Sequence, residues 1–442
     1  MRALGSRLAR GVSCLARRVS CLVRRVSRVA RCVLLPVVLL AGAGCGSGDG
    51  GGDGSVTIMV PWSGDEFAAF NAVIRKFEHD RGVRVHVQVT RALTQQLDAA
   101  VGAGAPPDLA ILPSVGAIYT YADHDKGLKP LAAAARTDTF LQPFQGLTRM
   151  RNRVYALPVK VDVKSLVWFT PETVGRARDT AAVRSYAHAH PGAWCLGLES
   201  GPTSGWPGAD WIADLVLDGQ GAGAYEQWLS GGRPWKEVAG AWRDWRGLVG
   251  PGGKRALTQV FSEAAGGMTS TPPKCSLAHG ALSAMGFRAA DVQRGRYDFV
   301  PSSARHRLEV SADFVGKFTT GNPHADALAA YLASAGAQQL WVDQPGGYAF
   351  SANTRVTEYH NRGVQQRVAE MLRPGSGNTL CFGAADAMTP DVSAAFYRAV
   401  LTYVAQDGTD PKPMLSKLDQ LQTKLGPSGK SPVPANRLCA SP

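Results

Sequence analysis

Between Met1 and Gly44 the chain has no Lys, Asp or Glu, although it has nine Arg. Nine of the thirteen net positive charges therefore belong to one block: from Cys45 onward 39 basic residues face 35 acidic ones, an ordinary surface balance of +4. A sequence pI of 9.5 would otherwise point to nucleic acid. With the excess confined to the N-terminus, no nucleic-acid partner is expected. Long apolar runs are also missing. The longest near the N-terminus, residues 32–44, has thirteen uncharged residues broken by Pro36, short of the roughly 20 needed to span a bilayer. There is no C-x-x-C, no Cys/His cluster with zinc spacing, no G-x-S-x-G and no H-E-x-x-H. The glycine-rich GPGGK at Gly250–Lys254 lacks the upstream glycine of a phosphate loop. Metal, cofactor and nucleophilic catalysis are accordingly not expected. The closest histidines, His188 and His190, read as surface residues.

What is there begins with an address. Arg2 to Arg31 followed by CVLLPVVLLAGAGC has the basic, apolar and small-residue regions of a secretory signal. Ala43 and Gly44 directly before Cys45 look like a bacterial lipobox, so residues 1–44 are expected to be cleaved and Cys45 lipidated. The repeat RRVS, at Arg17 and Arg24, resembles a twin-arginine signal only weakly. Residues 45–54 carry six Gly and no apolar side chain after the Cys, a flexible leash. Export fits the cysteines as well: four remain beyond Cys45, at 195, 275, 381 and 439. Outside the cytosol these are expected as disulfides. Three pairings are open, and we expect Cys195 with Cys275 and Cys381 with Cys439.

From Ser55 the pattern alternates strand and helix. Phe67, Phe70, Val73, Ile74 and Phe77 recur at helical spacing up to Gly82, whereas Val83, Val85, Val87 and Val89 alternate as a strand. Such alternation predicts an open α/β sheet with ligands beyond the carboxyl ends of its strands, at residues 62–66 and 113–116. A second block starts near Tyr155 with strands ALPVKVDV and KSLVWFT, then a helix TAAVRSYAHAH, a strand AWCLGLE, and a helix opening at SGWPGADWIADLVL. Trp235, Trp242 and Trp245 share a helical face and are expected in the core. Strands return in YDFVP and RLEVSADFV, and a long helix is expected from Pro323 toward Trp341.

Tryptophans in polar loops remain: Trp62 in PWSGDE, and Trp206 and Trp211 in SGWPGADW. A pyranose needs this combination, because its CH faces pack on aromatic rings while its hydroxyls need charged or amide partners. Trp62 with Asp65 and Glu66, and Trp206 with Asp210, are such pairings. Trp62→Ala and Trp206→Ala are each expected to weaken sugar binding with little loss of fold. Glu66, Asp210 and Asp386 are the acids to consider if the chain were instead an exported glycoside hydrolase.

The segments PWSGDEFAAFNAVIRKFE, GAPPDLAILPSVG, PVKVDVKSLVWF, WCLGLESGPTSGWPGADWIADLVL and YLASAGAQQLWVDQPGGYAFSAN resemble the family 1 extracellular solute-binding proteins of ABC importers, the α-glucoside subgroup in particular. That resemblance implies a two-lobed α/β fold with crossover hinge strands and a ligand cleft between the lobes. Residues 55–158 would form the first lobe and 159–310 the second. Residues 311–442 would return to the first, with C-terminal helices partly on the second. It implies a monomeric, non-enzymatic lipoprotein at the outer face of the cytoplasmic membrane, held there by its lipid alone. Such a protein hands a carbohydrate to ABC permease subunits or, as an alternative, feeds a sensor. Trp62, Ser63, Asp65, Glu66 and Ser114 would face the ligand from one lobe and Trp206 and Asp210 from the other. Gly346 and Gly347 would bring backbone amides close, and Asp386 joins the set. Cys195 and Cys275 match cysteines of the subgroup. Two stretches depart from the family: PSVG at 113–116 stands where PQPG is usual, and AADAMTP around Asp386 where DASDLMP is usual.

Overall fold

The computed structural model describes residues 54–440, apart from 124–126, 133–136, 176–178, 347, 360–362 and 407–409. The signal segment and Cys45 lie outside the described residues. Among those described, no helix is long and apolar enough to cross a membrane.

The expected alternation is realised as β1 (Ser55–Val60), α1 (Gly64–Arg81), β2 (Arg84–Val89), α2 (Leu93–Gly102), β3 (Leu109–Leu112) and α3 (Val115–Ala122). Helix α1 buries Phe70, Val73, Ile74 and Phe77 on one side, carries Asp65 and Glu66 in its first turn, and ends at Gly82. Acids there suit the positive end of the helix dipole. At Gly82 φ is 62° and its N–H donates to the Glu78 carbonyl, the left-handed cap that glycine adopts without strain.

Two long strands then organise the molecule. β4 (Ala156–Val163) is buried along all eight residues and runs antiparallel to β8 (Arg307–Lys317), with Val163 opposite Val310 and Lys160 opposite Asp313. Between them in sequence, β5 (Leu166–Phe169), β6 (Leu277–His279) and β7 (Asp298–Pro301) form a separate three-stranded sheet in the order β6-β5-β7. The larger sheet runs β10-β9-β8-β3-β1-β2, β9 being Thr379–Phe382 and β10 Cys439–Ala440, with β4 also on β8. β8 is thus shared: Arg307–Val310 pair with β9 and Phe314–Lys317 with β3. The chain leaves the large sheet through Lys164 and Ser165 and re-enters through residues 302–306. This is a two-lobed arrangement with paired crossover strands.

Helix α4 (Trp206–Gln220) opens after Gly205, where φ is 103° and a Cβ would lie 2.4 Å from the Tyr397 carbonyl oxygen. Only glycine fits there. Trp235, Trp242 and Trp245 are fully buried, as expected of a core face. Trp235 and Trp242 pack with Trp228 around Phe396 of the helix Pro390–Ala405.

Two expectations about local structure are corrected. AWCLGLE makes no ladder strand. Its Cys195 N–H bonds the Leu277 carbonyl and its Leu198 N–H that of Ala256, so neighbouring residues serve different partners. The long helix from Pro323 is two helices, α5 (Pro323–Leu332) and α6 (Ala335–Val342). Ser334 breaks it, because its hydroxyl accepts from Ala337 N–H and caps a new start. Both disulfides form as expected, Cys195–Cys275 and Cys381–Cys439.

Candidate functional site

The alternation within β4 places Lys160 and Asp162 on one face and carries it on to Lys164. A strand buried on both sides offers these charges no water, so each must be answered by protein. Lys160, 2% exposed, lies 2.5 Å from Glu66 Oε1 and 3.3 Å from Asp162 Oδ2. Ser283 donates to Asp162 at 3.0 Å. Asp313, facing Lys160 across the strand pair, accepts from the Trp62 indole. Lys164 bridges Asp210 at 3.0 Å and Asp386 at 2.7 Å. Behind it, Glu309 Oε1 accepts from Ala384 N–H at 3.0 Å, and Ser165 donates to Asp214. The crossover strands therefore carry two lysines, each enclosed by carboxylates.

Acids outnumber bases here, and burial pushes the surplus upward. The Asp313 carboxyl is raised to about 7, chiefly by desolvation, with Lys160 opposing and Asp162 and Glu66 reinforcing. Asp210 is raised to about 6 by the same cause against the pull of Lys164. Glu309, fully buried, stands well above its ordinary value. Acids raised on folding bind protons more tightly in the native state, so stability present at low pH is lost as pH rises through the folded value. The expected melting temperature falls between pH 5 and pH 7.5 at constant ionic strength, and Asp313→Asn flattens that slope. A wild-type protein with a level or rising profile across this window would contradict the assignment.

The surroundings of Asp210 are aromatic on one side. Trp206 is half-buried, edge-on to Phe261 at 5.0 Å. With Asp210, His279 and Met285 these two line a cavity of about 30 Å³. Trp206 and Asp210, joined in the sequence reading, are thus joined in space.

The other expected residues are placed as follows. Trp62 is not an open platform: it is 3% exposed, packed 4.9 Å from both Phe70 and Trp341, because a flat apolar ring following a buried strand gains more from the core than from water. Ser63 accepts from Arg91, and Asp65 is exposed. Ser114 caps α3 and donates to the Asp386 carbonyl at 3.0 Å. Beside it, Gly116 lies so close to Met388 that a Cβ would fall 1.8 Å from that carbonyl oxygen. Gly346 adjoins Asp65 and lines a hollow of about 400 Å³ with Tyr348 and Gln365. Gly347 lies outside the described residues. A larger cavity of about 890 Å³, lined by residues including Tyr119, Arg149, Tyr155 and Arg437, contains none of the expected ligand residues.

Sequence reasoning missed Lys160, Asp162, Lys164, Glu309 and Asp313. A signal existed: charges at every second position inside an otherwise apolar strand, KVDVK, cannot be a solvent face when the intervening residues and flanks are all core-like.

No family model matches the chain. It is 28% identical over 387 residues to the alpha-glucosides-binding periplasmic protein AglE of Rhizobium meliloti, covering 79% of this chain and 83% of that one. It is 25% identical over 410 residues to the osmoprotective compounds-binding protein GgtB of Synechocystis, covering 86% and 96%. Among solved structures, the bacterial solute receptor AcbH superimposes with a TM-score of 0.67 at 15% identity, over 84% of this chain and 99% of that one. The chain is thus similar in sequence to two binding proteins and shares with a solute receptor the two-lobed fold to which its paired crossover strands belong.

Proposed function

We propose that the protein captures a carbohydrate between its lobes and delivers it to an ABC permease, exported and tethered through a lipid on Cys45. The observation carrying this reading is the junction of two chemistries at the crossover strands. Among the fixed, buried polar groups, Asp210, itself held by Lys164, lines one cavity with the half-buried pair Trp206 and Phe261. Hydroxyls and CH faces of a pyranose require both. AglE is named for α-glucosides, GgtB for osmoprotective compounds, and AcbH is described as preferring β-D-galactopyranose. An α-glucoside is the class we favour, since AglE and the subgroup likeness of the SGWPGADW block agree on it.

The acids that would serve a hydrolase are occupied. Glu66 is paired to Lys160, and Asp210 and Asp386 share Lys164, which suits binding and not proton transfer to a substrate. We place the lobes at residues 55–158 and 159–310, with 311–442 returning to the first and its last helices packing on the second. Opening would then break the hydrogen bond of Tyr348 to the Phe287 carbonyl, a hinge motion of the kind ligands drive.

A thermal-shift panel tests the reading on the chain from Ser55 onward, with maltose, trehalose, sucrose, maltodextrins, β-linked disaccharides, amino acids and short peptides. Ligand at a hundred times its dissociation constant adds about 2.7 kcal/mol. One sugar class should raise the melting temperature. A shift with peptides alone, or with nothing in a cooperatively melting sample, would refute carbohydrate capture.

A further inference from the structure

His279 ends strand β6 with its ring stacked on Trp211, centroids 4.8 Å apart and planes within 5°. Its side chain is 1% exposed. Nε2 lies 2.9 Å from Asp214 Oδ2. An ionised carboxylate only accepts, so Nε2 carries the proton and, in the neutral ring, Nδ1 presents a lone pair. Asp214 is itself held by the Ser165 hydroxyl and is buried, which fixes the ring's orientation as well as its tautomer.

Nδ1 is buried and has no hydrogen-bond partner among the described residues. Such an atom normally finds one, because leaving it bare costs about 1–3 kcal/mol. His279 lines the cavity of about 30 Å³ shared with Trp206, Asp210, Phe261 and Met285. That volume exceeds the ~10–15 Å³ one water needs and is far below what a sugar ring fills. Apart from His279 and Asp210, the walls are apolar side chains and backbone. Asp210 Oδ2 is also buried without a hydrogen bond but lies 3.0 Å from the Lys164 ammonium, so the acceptor in this pocket that no cation answers is the imidazole.

We propose that this cavity is a single-hydroxyl subsite: one hydroxyl or hydroxymethyl of the ligand enters beside Trp206 and Phe261 and donates to His279 Nδ1. The inference rests on the carbohydrate reading above and deepens it by naming the residue that tests one hydroxyl. A sugar deoxygenated or O-methylated at that position has no proton to give and leaves the buried nitrogen bare. Asp214 is the positioning residue behind it.

Calorimetric titration of the purified protein with maltose, trehalose and sucrose, and with monodeoxy and mono-O-methyl analogues of whichever binds, decides the matter in wild type, His279→Phe and His279→Gln. Phe keeps a flat ring against Trp211 and removes the acceptor, whereas the Gln side-chain carbonyl supplies one. His279→Phe should weaken the parent sugar about 10- to 100-fold. One deoxy analogue should suffer a similar loss on wild type yet match the parent on the Phe variant, while analogues at other positions lose equally on both. His279→Gln should recover part of the discrimination, and it carries the test if the Phe variant does not melt cooperatively. Identical parent-to-analogue ratios in wild type and variants at every position would overturn the subsite while leaving carbohydrate binding intact. A wild-type protein that binds none of the sugars would overturn the carbohydrate reading and the subsite with it.

Discussion

Lys164→Met is expected to lower the unfolding free energy at pH 7.5 by about 3–5 kcal/mol, the usual consequence of removing one member of a buried ionic group. Lys164 is a tenth exposed and holds Asp210 and Asp386 at 3.0 and 2.7 Å, with Glu309 close behind. Without the ammonium, three carboxyls would remain in a site that already raises Asp210 and Glu309 with it present. They would then hold protons even more tightly in the folded state, so the variant's deficit should shrink as pH is lowered from 7.5 to 5. Urea unfolding at the two pH values measures this. A variant as stable as wild type at pH 7.5, or one whose deficit grows on acidification, would show that Lys164 is not what neutralises the cluster. Methionine roughly matches the length of the lysine stem, which limits the contribution of an empty cavity.

Trp62→Ala and Trp206→Ala should behave differently, although the sequence presents them alike. Trp62 is buried against Phe70 and Trp341 and hydrogen-bonds Asp313. Truncating it leaves a cavity and an acid stripped of a donor, with an expected loss of about 3–5 kcal/mol. Trp206 is half-buried and lines the cavity it shares with Asp210 and His279. Its truncation should change the melting temperature little and weaken the bound sugar by tenfold or more, as expected for an aromatic anchor worth about 2 kcal/mol or more. Equal melting temperatures for the two variants would remove the distinction between a core tryptophan and a ligand-facing one. A Trp206→Ala protein with wild-type affinity would take that residue out of the site.

Much of this was legible locally. The apolar spacing of α1 and the valines of β2 specify their elements because helix and strand periods differ, and each pattern completes within one element. Trp235, Trp242 and Trp245 read as core for the same reason. The helix expected from Pro323 to Trp341 failed at Ser334, where a hydroxyl able to satisfy a backbone N–H starts a new helix and apolar spacing gives no warning. AWCLGLE failed because a strand exists only if a neighbour runs beside it for several residues. The site was half legible. Trp206 and Asp210 lie one helical turn apart, so their proximity follows from the helix alone. Lys160, Lys164, Asp313 and Glu309 were overlooked because charge is ordinarily a surface signal.

The sequence by itself determined the alternating elements, the two-lobed family likeness, and the cysteines available to staple an exported chain. Only the tertiary structure decided which residues meet. Ser114 reaches Asp386 across 272 positions, and Lys164 reaches the same residue across 222. Trp62 turns inward while Trp206 stays half-buried beside a cavity. The physical reason is that periodicity fixes which face of an element is apolar, whereas the identity of the group facing a buried charge depends on how distant strands and helices pack. That choice is made by desolvation: once β4 and β8 are covered on both sides, every charge they carry must find a partner from wherever the fold brings one.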